Sequence, residues 1–285
     1  MELVSQRAEQ GFMPLGSADH VWFFRAERFD ALECLHARFH THRFQPHTHE
    51  TYAIASIIHG VEYFTCAGVQ YAAGPGQLAL VNPETVHDGE PRGAEGFAYR
   101  TAYPTVACMR DIAEDLTGRR VGTPTFADAV VDDADCAGIW AEAHRLAERG
   151  ADPLAIDTAM TAAFAHMLAR HADLPPPRRI GDETGPIARV RAHLDGNYHR
   201  AVDLDELAGV ARLSRTNLIR AFAKTTGLTP HAYLTDRRVR AARAHLSAGM
   251  APAEAAALCG FYDQAHLNRA FKARIGVTPG AYRGL

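Results

Sequence analysis

"IRAFAKTTGLTP" fills residues 219–230, and "NRAFKARIGVTP" fills 268–279, an offset of 49. At that offset Leu218 matches Leu267, Arg220 matches Arg269 and Phe222 matches Phe271. Gly227, Thr229, Pro230 and Tyr233 likewise match Gly276, Thr278, Pro279 and Tyr282. Leu218, Ala221 and Phe222 stand at i, i+3 and i+4, so the segment reads as a helix with that stripe inward and the neighbouring arginine outward. Gly227 ends it, because a left-handed C-cap is free of strain when no Cβ is present. Upstream, "LDELAGVA" (204–211) is a short helix with Asp203 as N-cap and Glu206 at the capping-box spacing. A break at "RL" and a second cap at Ser214 complete a short helix, a tight turn and a longer helix with a basic outer face. That is the helix-turn-helix plan, and it is written twice.

A solenoid of helical pairs normally needs three or more repeats, and two occur here. The connection "HAYLTDRRVRAARAHLSAG" reads as one helix, with Ala232, Val239, Ala242 and Leu246 on one face. Arg237, Arg238, Arg240 and Arg243 are placed around the rest. About 17 residues at ~1.5 Å each make a rod of roughly 25 Å. Such a strut suits two readers set in successive major-groove faces, ~34 Å apart.

Charge supports a polyanion partner for this half only. Residues 186–285 hold 15 Lys+Arg against 7 Asp+Glu, whereas 1–185 hold 15 against 26. The first balance is +8 and the second −11, hidden within a net charge of −3. The boundary between the halves is "LPPPRRIGDETGP" (174–186), whose four prolines and two glycines read as a linker. The expected domains are therefore 1–173, the linker 174–186, and 187–285.

At this point the resemblance is specific. Residues 186–285 resemble the DNA-binding domain of the AraC/XylS transcription regulators, and "GFYDQAHLNRAFKARIGVTPGAYR" is close to that family's signature. The resemblance implies base contacts from Arg215, Thr216, Ile219 and Arg220 in the first reading helix. In the second it implies Gln264, Ala265, His266 and Arg269. Arg220 and Arg269 suit bidentate contact with guanine and Gln264 suits adenine, whereas Ile219 offers only apolar contact.

The first half has a different texture. Runs such as "ECLHARFH", "TYAIASIIHG", "EYFTCAG" and "GFAYRTAYP" are rich in Val, Ile, Tyr and Phe and are punctuated by Gly or Pro, as in an all-β sandwich or small barrel. Two helices follow, "DCAGIWAEAHRLAERG" and "DPLAIDTAMTAAFAHMLARHA". In the second, Leu154, Thr158, Phe164, Met167 and Leu168 form a stripe that packs on its own domain or on a second copy of the chain.

His47 and His49 in "RFQPHTHETYAIASIIHG" are two apart and share one strand face, and His87 lies where a small barrel would bring it near. Three converging imidazoles suit one divalent transition metal, zinc, nickel or iron. The arrangement resembles the cupin double-stranded β-helix, which AraC-type regulators often carry as an effector sensor. Metal-dependent cupin enzymes add a Glu four or five residues after the second His, but Ala53 and Ile54 stand there. Glu50 should face the opposite side of the strand. The same histidines could line a pocket without metal. Tyr52, Tyr63, Arg100 and Tyr103 are candidates to meet a polar ligand or to be half-buried barrel residues.

The fold expected is α+β in two domains, a cupin-like β-barrel followed by helices and then an all-α tandem helix-turn-helix domain. The function expected is a cytoplasmic, homodimeric transcription regulator that binds double-stranded promoter DNA and a small-molecule effector, with RNA polymerase as a further partner if it activates. A metal-dependent cupin enzyme with a helical accessory domain is the second reading. "MELVSQRAEQGF" has no export signal, no apolar run suits a membrane, and five scattered cysteines fit reduced thiols. No nucleotide-binding glycine loop and no GxSxG is present.

Overall fold

The computed structural model describes residues 19–26, 29, 31–178, 181 and 183–283, together with the backbone of 12–14. The N-terminal stretch read for an export signal, linker positions 179, 180 and 182, and the last two residues lie outside the described residues. The chain divides into two compact units, Met1–Ala151 with Ala159–Arg178, and Asp152–Thr158 with Arg179–Leu285. Among the described residues, no helix is long and apolar enough to cross a membrane.

The first unit contains two antiparallel sheets. One runs β1 (Phe12–Pro14), β2 (His20–Ala26), β3 (Leu32–Phe39), β10 (Phe97–Ala102), β5 (Ala53–Gly60), β8 (Gln77–Val81) and β11 (Val130–Asp132). The other runs β4 (Phe44–His47), β9 (His87–Pro91), β6 (Glu62–Cys66) and β7 (Val69–Ala73). Leu35, Ala37, Phe39, Ala55, Ile57 and Phe97 of the first share one buried cluster with Phe64, Cys66 and Ala73 of the second. Strand alternation sends the other residues of the larger sheet outward, where Cys34, Ile54, Leu78 and Leu80 are buried too. Leu78 and Leu80 are 0% and 1% exposed, although they face the opposite way from Ala79 and Val81. This explains the nearly continuous apolar run "QLALV", since a strand covered on both faces need not alternate.

The outer cover includes α2 (Ala134–Glu148), which follows α1 (Val106–Thr117) and β11. Trp140 of α2 is fully buried, donates to the Arg100 carbonyl at 3.2 Å and packs on Phe164 of α3 (Pro153–His171) at 5.2 Å between ring centroids. The α3 stripe of Leu154, Thr158, Phe164, Met167 and Leu168 is at most 3% exposed. It is spent inside the single chain.

The second unit is helical: α4 (Thr184–Asn197), α5 (Leu204–Ala211), α6 (Arg215–Thr226), α7 (Pro230–Ser247), α8 (Pro252–Leu258), α9 (Gln264–Ile275) and α10 (Pro279–Arg283). Because α4 begins at Thr184, the expected linker loses its last three residues to a helix, and Pro186 is tolerated there because it lies in the first turn. The repeat is realised residue by residue. Phe222 and Phe271 are both fully buried and meet Tyr233 and Tyr282 at 5.6 and 5.5 Å. Burying one such ring is worth roughly 1.5–3 kcal/mol. Ser214 and Asp263 cap α6 and α9, and Gly227 and Gly276 end them in the left-handed conformation.

Asp203 caps α5, accepting from the Glu206 N–H at 2.8 Å. Arg200 and His193 hold the Glu206 carboxylate, and the Arg200 hydrogen bond is the main cause of a pKa near 2. One expectation needs correction: Arg238 does not lie on the surface of α7. It is 2% exposed and donates from Nε and Nη2 to the carbonyls of Tyr198 and Arg200, each at 2.8 Å. A buried guanidinium is tolerated because two charge-assisted bonds replace its hydration. Its neighbours remain outside: Arg237 lies 4.2 Å over the Tyr198 ring, and Arg240 pairs with Asp236 at 2.6 Å.

Candidate effector cavity and nucleic-acid interface

His47 ends β4, His87 begins β9, and the two residues are register partners, so the sheet itself sets them side by side. His49 lies two residues beyond His47. The three ring centroids are 4.4, 4.8 and 5.1 Å apart, and one ring nitrogen from each lies within 4.8 Å of the others. His47 Nδ1 is 2.7 Å from the Gln45 carbonyl and His87 Nδ1 is 2.9 Å from that of Thr85. A carbonyl only accepts, so each Nδ1 carries a proton, and in a neutral ring Nε2 is then the nitrogen with the lone pair. Burial first, then the neighbouring imidazoles His87 and His47, lowers the His49 pKa. Burial also lowers that of His87, outweighing its bond to Thr85. Both effects favour the neutral, ligating form. The donor set and its orientation fit a divalent ion.

The histidines open on a cavity of about 60 Å³ that is also lined by Glu62, Phe44, Phe64, Tyr99, Thr101 and Tyr103. Burial pushes the Glu62 carboxyl up to about 8. Thr101 is 3% exposed, and its hydroxyl has no partner at hydrogen-bonding geometry, although Tyr99 lies near enough to feel it. Among the described residues, no lysine or arginine lines the cavity.

Only one of the four proposed effector residues is there. Tyr103 lines the cavity, 5.1 Å from the His49 ring. Tyr52 is fully buried on the other side of the sheet and donates to the Pro124 carbonyl at 2.5 Å. Arg100 faces α2 and pairs with Glu148 at 2.9 Å. Tyr63 lines a separate pocket of about 300 Å³ on the outer face of the smaller sheet, under the Arg92 guanidinium at 4.6 Å. Strand alternation accounts for all three, because each neighbours a cavity-facing or core-facing residue and so points the other way. The same rule would have found Glu62, which shares the inward face of β6 with Phe64 and Cys66.

A second cluster, Asp133, Cys136 and His171, has ligand atoms within the same distance. Its carboxylate is already engaged: Asp133 accepts from the Cys136 N–H at 3.0 Å, from Arg170 at 2.6 Å and from His171 at 2.9 Å. The capping bond to Cys136 leads the causes that hold its pKa near 2, and burial pushes the Cys136 thiol up to about 12. A carboxylate consumed by a cap and a cation makes a structural pin.

On α9, Gln264, Ala265 and Arg269 are exposed, whereas His266 is half-buried with its ring 5.2 Å from Phe261. Tyr262, just before the cap Asp263, is 92% exposed. The equivalent face of α6 is narrower. Thr216 and Ile219 are 1% and 5% exposed, so the outward placement expected for them does not hold. Together with Leu218, Ala221 and Phe222 they close more than half of the helix circumference, because Ile219 extends the apolar stripe by one row. On α6 Lys224 is exposed, whereas Asn217 and Arg220 are half-buried, with Asn217 Oδ1 and one Arg220 Nη nitrogen buried. Burial lowers the Arg220 pKa, while Arg215 is held by Asp205 through two bonds, one of 2.5 Å.

Comparison with known proteins agrees with both halves. Residues 31–164 match the family model of the AraC-like ligand binding domain, and residues 207–284 match a helix-turn-helix domain. The chain is 27% identical over 225 residues to the HTH-type transcriptional regulator YbfI of Bacillus subtilis, 79% of this chain and 82% of that one. It is 34% identical over 99 residues to the HTH-type transcriptional activator RhaS of Yersinia pestis, which is 34% of this chain and 36% of RhaS. The solved DNA-binding domain of AdpA, in complex with a target DNA, is 33% identical over 35% of this chain and 90% of that one, with a TM-score of 0.34.

Proposed function

We propose, because this chain belongs to the AraC family of DNA-binding transcription regulators with an N-terminal ligand-binding domain, that occupancy of the His47–His49–His87 cavity controls how α6 and α9 engage promoter DNA. The cupin-enzyme reading is set aside, since the relatives are named transcriptional regulators and the basic tail is a helix-turn-helix domain. The observation that carries the DNA assignment is the open polar face of α9 on a doubly written module. Arg269 reads guanine, Gln264 reads adenine, and Ala265 packs on a neighbouring base, with His266 at their side. On α6 the reader is Arg220, flanked by Asn217 and Lys224; Arg215 reaches a phosphate only by releasing Asp205.

In the cavity, His47, His49 and His87 hold one zinc, nickel or iron ion through single nitrogens, and Tyr103 meets the small-molecule effector. The ion supplies a Lewis-acidic centre to which an effector oxygen or nitrogen binds. We assign RNA polymerase as the further partner if the protein activates, and a homodimer as the working form. With the α3 stripe already buried, a second copy would meet the exposed side of α2 around Ile139, which is 40% exposed.

The test starts from an operator selected out of a random duplex pool by the full chain. Arg269→Ala should weaken specific binding by about 1–3 kcal/mol and relax the preference at one position. Equal affinity and unchanged preference would remove Arg269 from the reading set.

A further inference from the structure

Glu62 is a carboxyl group that the fold turns inward without an ion-pair partner among the described residues. It lies on β6 between Val61 and Tyr63, in line with Phe64 and Cys66, and it lines the same cavity as the three histidines. Its carboxyl makes no hydrogen bond or ion pair with another described residue, although the Tyr99 and Tyr103 phenols lie near enough to feel its charge. A Cβ at residue 89 would stand 3.2 Å from Glu62 Oε1, which places the end of the carboxyl over Gly89 of the facing strand. Residue 89 shares the inward face of β9 with His87, two positions away, so the carboxylate lies one pleat along from a ligating imidazole. Ala53, where a motif carboxylate would have stood, lines the cavity with a methyl group and leaves the volume open.

Resting on the reading of the three histidines as an ion site, we propose that Glu62 supplies the anionic group of that site from a different strand, acting on the ion through one bound water. The three ligand nitrogens approach within 4.8 Å of one another and Glu62 stands outside that group, which favours the water-mediated arrangement over direct ligation. Three neutral imidazoles leave the full charge of a divalent ion uncompensated in a cavity with no other unpaired anion, and a carboxylate that accepts from metal-bound water both neutralises and orients it. Asp88 also lines the cavity, but its carboxylate already accepts from the Thr65 N–H at 2.5 Å.

The test is zinc binding to the full chain, measured by calorimetry for wild type, Glu62→Gln, Glu62→Ala and His87→Ala. Expected is one zinc per wild-type chain, unchanged stoichiometry with 10–100-fold weaker affinity in both Glu62 variants, and loss of binding in His87→Ala. The zinc-free Glu62→Gln protein should melt no lower than zinc-free wild type, which separates a role toward the ion from a structural one. Wild-type affinity in Glu62→Gln, or weaker binding accompanied by a lower melting temperature of the zinc-free variant, overturns the role of Glu62 while leaving the histidine site standing. A wild-type chain that takes up no zinc, nickel or iron overturns the histidine site, and this inference with it.

Discussion

At the scale of single residues, the least comfortable group in the first unit is Glu62. Its carboxyl has a pKa of about 8 because burial disfavours the charge. The folded pKa lies above the unfolded one, so the folded chain holds its proton longer than the unfolded chain does. Stability linked to this group is therefore complete below pH ~4.5 and is lost as pH rises through 8. Replacing it by an amide of the same shape removes that loss. Glu62→Gln without metal should gain on the order of 1–3 kcal/mol at pH 7 and nothing at pH 4, read from chemical denaturation at the two values. A gain that does not grow with pH would mean that the carboxyl is solvated through the cavity mouth. Much of this was legible: a charged residue in register with Phe64 and Cys66 on a strand is a polar group on an apolar face. The chemistry of Tyr52, Tyr63 and Arg100 suits a polar ligand, but their strand parity turns them away from the cavity.

Among the elements, the repeat at 49 residues placed α6 and α9, their caps and their aromatic anchors, because each feature is local and recurs. What it could not place is anything non-local. Thr216 is buried while its repeat partner Ala265 is exposed, and Ile219 is buried where its partner Asn268 is half-buried; only the second difference, apolar against polar, is written in the sequence. Arg238 is another example, since its partners are carbonyls 38 and 40 residues away. The stretch Tyr198–Arg200 is held from a second side as well. Gly260, in the turn between α8 and α9, has φ +76°, and a Cβ there would fall 2.6 Å from the Tyr198 carbonyl oxygen. Gly227 has φ +74° with open space around it. Alanine at 227 therefore pays only for the left-handed backbone, about 1–2 kcal/mol. Alanine at 260 adds a backbone clash and should cost clearly more, on the order of 3 kcal/mol or above. Urea midpoints of the two variants check the order, and equal losses would show that the turn gives way without disturbing Tyr198.

For the whole molecule, the charge partition sets what a ligand in the barrel has to do. Only the +8 half has a charge balance that favours phosphate contacts, and the −11 half gains nothing from approaching a duplex. DNA affinity should thus fall steeply with salt, with a slope of about −0.9 per phosphate neutralised, and neutral substitutions in the barrel should leave that slope alone. A barrel ligand can change DNA binding only if its own affinity differs between the free and DNA-bound chain, and that difference must be reciprocal. If zinc alters operator affinity by some factor, operator DNA must alter zinc affinity by the same factor, expected at about 5–150-fold. The measurement is a pair of titrations at one salt concentration, operator into chain with and without zinc, and zinc into chain with and without operator. Equal, non-unit factors identify the ion as part of the signal. A factor of one in both directions makes it a fixture of the barrel, and the regulatory ligand is then whatever binds beside it against Tyr103.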